Sequence, residues 1–322
     1  MRVKGILDLI GNTPTVKLEK IIQQEGVEIF AKLEGHNLTG SMKARSALGM
    51  IEAAEARGEL TPGRSTIIES TSGNLGYALA AIGGVKGYRV ILVLDPKTDD
   101  LKRNILKGYG AELVTVTESD EHGAFQPTRI ARVQEMLGET PNSWTPNQYH
   151  NPDNLDAHYK TMGPEIFADL EGRVDVVVGA IGTCGHLGGA AKFLMEQNPD
   201  LRVIGVEPEG SVLSGGEFCP YLIQGPGLSF KPSNLDLGVI REIVKVSDKD
   251  AMYAARELAR KEAILSGSSA GSVIYATRQI APELPEGSRV AVILADGGFR
   301  YGTNFYDDNW MVTHAMQPPS SQ

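Results

Sequence analysis

Only two of the 322 residues are cysteine, Cys184 and Cys219. That is too few to frame a chain of this length with disulfides, so reduced thiols in a cytoplasmic protein are expected. Positive charge is also scarce: thirty-one Lys and Arg stand against forty Asp and Glu, a net charge of −9 with no basic block. This argues against a nucleic-acid or anionic-membrane surface. The longest uncharged stretches, 70–85 and 176–191, are rich in Gly, Ser and Thr. They fall short of the roughly 20 apolar residues that span a bilayer. The start, Met1-Arg2-Val3-Lys4-Gly5-Ile6-Leu7-Asp8, has neither the apolar core nor the cleavage site of a signal peptide. Six histidines show no paired metal-ligand spacing, so no metal is expected. What is plentiful is glycine: 37 residues, about 11% against a usual ~7%, with no collagen-like period.

Hydrophobic residues at 41% and charged residues at 22% describe a globular chain, and its length favours two domains. Short β-branched runs are expected as strands at 28–33, 65–69, 89–94, 112–116, 174–178, 202–206, 242–246 and 289–294. Between them, helical patterns cover 41–56, 75–82, 101–109, 128–137, 155–170, 187–197, 248–265 and 272–280. Strands that read as buried, alternating with amphipathic helices, predict an α/β fold with mostly parallel sheets covered by helices. The polar stretch 139–154, with Trp144, Pro146 and Pro152, is the linker candidate, and the tail 317–322 reads as frayed.

The glycines gather where strands hand over to helices. One turn is Gly179-Ala180-Ile181-Gly182-Thr183-Cys184-Gly185-His186-Leu187-Gly188-Gly189. Backbone N–H groups at such a helix start can cradle a phosphate. Its spacing matches neither the dinucleotide nor the P-loop pattern, and glycines that merely permit a tight turn are the plainer reading. A second turn, Glu69-Ser70-Thr71-Ser72-Gly73-Asn74-Leu75-Gly76, offers hydroxyls, an amide and backbone donors to a carboxylate; alternatively it is an ordinary helix cap. The third, Ser266-Gly267-Ser268-Ser269-Ala270-Gly271-Ser272, formally matches Gly-x-Ser-x-Gly, with Asp296 and His314 following in hydrolase order. That elbow needs a strand leading into the serine, whereas 248–265 reads as helix. Finally, Lys43 follows Thr39-Gly40-Ser41 in the first turn of a helix, where a cation is unfavourable. Beside a bound aldehyde, a lysine there could form a Schiff base; the plain alternative is a solvated lysine.

Taken in order, these pieces resemble the pyridoxal-phosphate enzymes of the cysteine synthase and cystathionine β-synthase type, the fold-type II, tryptophan synthase β-like group. The resemblance runs from Ile10-Gly11-Asn12-Thr13-Pro14 to Asp296-Gly297-Gly298-Phe299-Arg300-Tyr301, through 37–45, 70–76, Gln148-Tyr149-His150-Asn151-Pro152, Pro164-Glu165-Ile166, 182–189 and 267–271. It implies Lys43 as the Schiff-base lysine and Asn74 at the cofactor's 3′-oxygen. Gly182, Thr183, Cys184, Gly185 and His186 would hold the phosphate, Ser269 would face the pyridine nitrogen, and Asp296 would lie near the ring. Thr71, Ser72, Asn74 and Gln148 would hold the substrate carboxylate. It further implies a smaller, mobile substrate-binding domain at 36–150, a larger phosphate-binding domain formed by 1–35 and 151–322, small amino-acid substrates and a homodimer. The implied reaction expels a β-leaving group from a serine derivative and adds a nucleophile at Cβ. Leu38, Ala44, Cys184 and His186 depart from the usual pattern of the family, where Pro, an acid, Gly and Thr are common.

Asp120-Glu121-His122-Gly123-Ala124-Phe125, Thr128-Arg129-Ile130-Ala131-Arg132-Val133-Gln134-Glu135 and Asn147-Gln148-Tyr149 are similar to the branch that joins O-phospho-L-serine to the amine of L-glutamate in siderophore pathways, a route to 2,3-diaminopropionate. This implies Arg129 as a phosphate or carboxylate clamp, assisted by Tyr149. A cysteine synthase using sulfide, with an O-acetyl or O-phospho donor, is the alternative enzyme. A non-catalytic regulatory relative is the third reading, against which Lys43, Asn74 and Ser269 count.

Overall fold

The computed structural model describes residues 3–71, 73–120 and 125–316. In chain order the elements are β1 (Thr15–Lys17), β2 (Glu28–Leu33), α1 (Lys43–Ala56), β3 (Thr66–Ser70), α2 (Asn74–Lys86), β4 (Arg89–Leu94) and α3 (Asp100–Gly108). There follow β5 (Glu112–Thr115), α4 (Gln126–Glu139), β6 (Ser143–Trp144), α5 (Asp153–Lys160), α6 (Met162–Asp169), β7 (Val176–Ala180) and α7 (Gly185–Gln197). The chain closes with β8 (Arg202–Pro208), β9 (Glu242–Val246), α8 (Asp248–Glu262), α9 (Ser268–Ile280), β10 (Arg289–Leu294) and α10 (Asp308–Thr313).

These strands build two sheets. The larger runs β1-β2-β10-β7-β8-β9 and is parallel except for β1, which pairs antiparallel with β2. The smaller, β5-β4-β3-β6, is parallel throughout. Strands β3 and β7 are buried along their whole length because helices cover both faces, and β7 accordingly carries no polar side chain. On the larger sheet, α8 and α9 pack one face through Ala251, Leu258 and Val273, and α6 and α7 the other through Ile166 and Leu187. On the smaller sheet, α1 and α2 supply Met50 and Leu79 to one face, and α4 supplies Val133 and Met136 to the other. The architecture is thus α/β with mostly parallel sheets between helices. Among the described residues no helix is long and apolar enough to cross a membrane.

Two expectations about elements change. The helix expected at 155–170 is two helices, because Pro164 has no N–H and its ring would clash with the carbonyl of Lys160; the chain breaks at Thr161, φ −122 and ψ −66. The linker expected at 139–154 instead carries β6, paired to β3 at Thr66 and Ile67, and buries Gln148 and Asn154. The buried Asn154 bonds backbone within it, its Nδ2 donating to Gln148 O at 2.8 Å. Strand β1 and helix α10 are additional elements. The tail expected to fray, 317–322, lies outside the described residues.

The start of α1 is fixed by a buried ionic cluster. Arg45 donates to Glu34 through Nε at 2.8 Å and to Glu165 through Nη1 at 2.6 Å. Lys32 Nζ lies 3.0 Å from Glu165 and 2.8 Å from Asp169. The guanidinium thereby ties α1 to the end of β2 and to α6, and so sets where Lys43 points.

Candidate active site

The C-terminal ends of the strands of both sheets converge on one cavity of about 170 Å³. Crevices at this end of parallel strands are where α/β proteins bind ligands. Four loops form it. The segment before α1 is held against the end of β10 by a bridge between Ser41 and Asp296 and by Met42 N donating to Ala295 O at 2.9 Å. The β3–α2 turn brings Thr71 and Asn74, the β7–α7 turn brings Gly182, Thr183 and His186, and α9 begins with Ser269 on the opposite wall.

Of the residues anticipated from sequence, Lys43, Thr71, Asn74, Gln148, Tyr149, Gly182, Thr183, His186, Ser269 and Asp296 line this cavity together. Cys184 lies beneath it, fully buried, with its thiol donating to Gly182 O at 3.3 Å, and burial pushes that thiol up to about 12. Cys184 adopts φ +62 to turn the chain into α7. Gly185 backs onto Asn154, where any Cβ would overlap the amide. Ser72 and 121–124 of the Asp120–Phe125 motif lie outside the described residues.

Arg129, expected as a phosphate or carboxylate clamp, does not line this cavity and pairs with Asp95 at 2.9 Å, just beyond β4. The reason is local: α4 packs on the outer face of the smaller sheet, so an arginine in its first turn meets the strand end before it meets the cavity. Arg129 Nε is nevertheless buried without a partner, as is Oε2 of Glu69.

The hydrolase arrangement does not assemble. His314 Nδ1 faces the carbonyl of Trp310 at 2.8 Å, and Asp296 accepts from Asn74 and Tyr301 rather than from any histidine. Ser269 sits at a helix start, not on a strand-fed elbow.

The electrostatics of the cavity suit an anionic, aldehyde-bearing ligand. Burial lowers Lys43 from 10.5 to about 8, opposed by the charge of Asp296, so its amine is readily neutral. Burial raises Asp296, against its bonds from Tyr301 and Asn74. His186 is pushed down to about 3 by burial and by Lys43; its Nε2 is buried without a partner. At the glycine turn a Cβ on Gly182 would come within 2.9 Å of Gly225 O, so only bare backbone leaves this wall open. Helix α7 starts there with free N–H groups.

A second cavity of about 290 Å³ adjoins the first, with Tyr149 common to both walls. Glu69, Ile130, Val133, Gln134 and Phe230 contribute to it. Burial raises Glu69 to about 7, against backbone N–H donors such as Ser70, and burial with the nearby Glu69 raises Tyr149 to about 12.

Sequence reasoning missed Gln224 and Pro226, which close the cavity on the side of Gly182. Their signal was the Gly225-Pro226-Gly227 turn, whose glycines take φ +104 and +78. It also gave no role to Arg300, treated below.

Comparison with known proteins agrees with this geometry. Residues 6–296 match the family described as pyridoxal-phosphate dependent enzyme. The chain is 40% identical over 302 residues to cysteine synthase of Staphylococcus aureus (strain Mu50 / ATCC 700699), covering 93% of this chain and 95% of that one. It is 39% identical over 312 residues to N-(2-amino-2-carboxyethyl)-L-glutamate synthase of Ralstonia nicotianae, covering 97% and 92%. The crystal structure of O-ureido-L-serine synthase superposes with a TM-score of 0.87 at 34% identity, covering 97% of this chain and all of that one.

Proposed function

This chain belongs to the pyridoxal-phosphate dependent enzyme family as a cysteine synthase-like β-replacement enzyme, and from that premise we propose that it joins O-phospho-L-serine to the amine of L-glutamate. The product would be N-(2-amino-2-carboxyethyl)-L-glutamate, a 2,3-diaminopropionate precursor. The observation that supports an amino-acid acceptor is the second cavity behind Tyr149. Sulfide would need no such space, whereas an acceptor with a side chain and two carboxylates would.

The residues present fit the cofactor. Bare backbone at Gly182, the start of α7 and the unpartnered His186 Nε2 suit its phosphate. Cys184 and Gly185 would contribute backbone there, and Lys43 would hold the aldehyde carbon. Asn74 would donate to the ring oxygen, Ser269 would face the ring nitrogen, and Asp296 would stand beside the ring. When bound, pyridoxal phosphate supplies an electron sink for the substrate's Cα.

The chain's own residues supply the rest. Thr71, Ser72, Asn74 and Gln148 would hold the substrate carboxylate and so orient the Cα–H bond toward Lys43. An amine brought down to about 8 is a competent base there near neutral pH. Ser269 would offer the ring nitrogen a neutral hydroxyl, which would not enforce protonation there as a carboxylate would. Movement of 36–150 over the carboxylate loop would exclude water. Arg129 would reach a donor phosphate only by exchanging its bond to Asp95. A homodimer completes the proposal.

The test mixes the cofactor-loaded protein with O-phospho-L-serine or O-acetyl-L-serine, then with L-glutamate or sulfide, and identifies products by mass. The expected product is the glutamate adduct from the phosphorylated donor. If only O-acetyl-L-serine with sulfide gives product, the protein is a cysteine synthase and the finer reading is wrong. Light scattering reads the assembly in the same samples.

A further inference from the structure

The turn after β10 carries a second layer of contacts behind Asn74. The Asn74 amide is gripped at both ends by this turn: its Oδ1 accepts from Arg300 Nη1, and its Nδ2 donates to Asp296 Oδ2 at 2.7 Å. A guanidinium only donates and a carboxylate only accepts, so the amide has a single satisfied orientation. A flip would set oxygen against carboxylate and N–H against guanidinium. Both grips are themselves held. Arg300 Nη2 donates to Thr39 O, and its guanidinium lies 4.3 Å from the centre of the Tyr77 ring. Asp296 is 4% exposed and accepts from Tyr301 Oη at 2.6 Å.

An amide nitrogen carries two hydrogens. Asp296 takes one, which leaves one N–H of Asn74 for the cavity that it lines beside Lys43. We propose that Arg300 is a positioning residue that, opposite Asp296, locks Asn74 so that this N–H rather than the carbonyl meets the anionic ring oxygen of the cofactor. The inference rests on the cofactor reading above and deepens it. It assigns the Arg300 side chain a task at a distance: it touches no ligand, yet it fixes the polarity of the group that does. It also accounts for the glycine at 40, where a Cβ would crowd Arg300 Nη2 at 3.3 Å.

The experiment compares the intact protein with Arg300→Met and Arg300→Lys, each stripped of cofactor and titrated with pyridoxal phosphate alone. Readouts are the dissociation constant, the position of the visible absorbance band, and thermal melting before cofactor is added. Losing a donated bond to a charged oxygen corresponds to roughly 10–100-fold weaker binding. The expected result is a loss of this size for Arg300→Met with a displaced band, and recovery of both in Arg300→Lys, which keeps a donor toward Oδ1. A merely structural arginine would lower the melting temperature and leave the band in place. Wild-type affinity and an unmoved band in Arg300→Met overturn the inference. Should Arg300→Met not fold, Arg300→Gln and Arg300→Glu decide: glutamine can still offer an N–H toward Oδ1 whereas glutamate only accepts, so a band displaced in Arg300→Glu and in place in Arg300→Gln supports the lock, and a band in the same position in both overturns it. A wild-type protein that develops no band would remove the cofactor reading and this inference together, a distinct outcome from an indifferent Arg300.

Discussion

Replacing Lys43 with methionine should stabilise the cofactor-free protein, although the lysine is central to the proposed chemistry. Burial moves the ammonium from its ordinary 10.5 to about 8 against the attraction of Asp296. Each unit is worth about 1.36 kcal/mol, so the ceiling on the gain is roughly 3 kcal/mol. Lys43 is half-buried on a cavity open to water, which reduces the expected gain to about 2 kcal/mol. Asp296 is not left as a stranded charge, since burial already raises it and it can take up a proton. The sign with pH follows from linkage: the folded value lies below the unfolded one, so the unfolded chain binds more protons between about 8 and 10.5. Wild-type stability therefore gains from this group as pH rises through that window, and the penalty is full below it. Urea unfolding of the wild type and Lys43→Met without cofactor, at pH 7 and near pH 10, measures both quantities. The variant should be the more stable at pH 7, with an advantage that shrinks at the higher pH. A variant less stable at pH 7, or an advantage that grows with pH, would refute the reasoning. Saturating cofactor should reverse the order, because the ligand stabilises the chain that binds it more tightly.

Arg45→Met should cost roughly 3–5 kcal/mol, because it leaves the fully buried Glu34 without its cation. Burial pushes Glu165 in the same cluster up, but its bonds to Arg45 outweigh this and bring it down to about 2. Its contribution to stability is then complete above the ordinary carboxylate value of 4.5 and is lost as pH falls through about 2; unfolding midpoints that stay flat across that acid range would contradict this. Two glycine substitutions should differ in sign: Gly271→Ala drives a Cβ into the carbonyl of Ala251 and should destabilise the packing of α8 on α9 by several kcal/mol. Gly138→Ala, on α4 with open space around it, should stabilise by roughly 0.5–1 kcal/mol, and thermal melting of both checks the contrast.

The sequence carried the fold wherever a strand was long and buried. Strands at 28–33, 89–94, 242–246 and 289–294 were legible to the residue: 90–94 and 290–294 are unbroken, buried apolar runs, and 28–33 and 242–246, though interrupted by a lysine and only partly buried, are still bounded runs rich in apolar residues. The two-residue β6 was not, since Ser143 and Trp144 have no period of their own and pair only because Thr66 and Ile67 lie beside them. Most of the cavity wall was legible because its residues sit in glycine turns at helix starts, a local signal. The place of Arg129 was not legible, for the complementary reason. A charge in the first turn of a helix has no local signature for which neighbour it will meet, and here Asp95 lies within its reach. Arg300 is the same lesson with the opposite outcome: its contact with Asn74 crosses 226 positions of sequence, so only the folded chain reveals it.

The strand order carries a consequence for how the protein is made. The neighbours at the heart of the larger sheet, β2 and β10, come from opposite ends of the chain, with Glu28 beside Arg289 and Leu33 beside Leu294. A ribosome delivers β2 early and must then release some 250 further residues before its partner emerges. The smaller sheet, whose strands all fall between Thr66 and Trp144, can assemble in the meantime. During that interval β2 is an unpaired apolar edge, with β1 its sole early neighbour. The nascent chain therefore passes through a period in which its smaller half is folded and its larger half waits, open to aggregation, for the last strand. The cavity, whose floor is the end of β10, is the final thing to form.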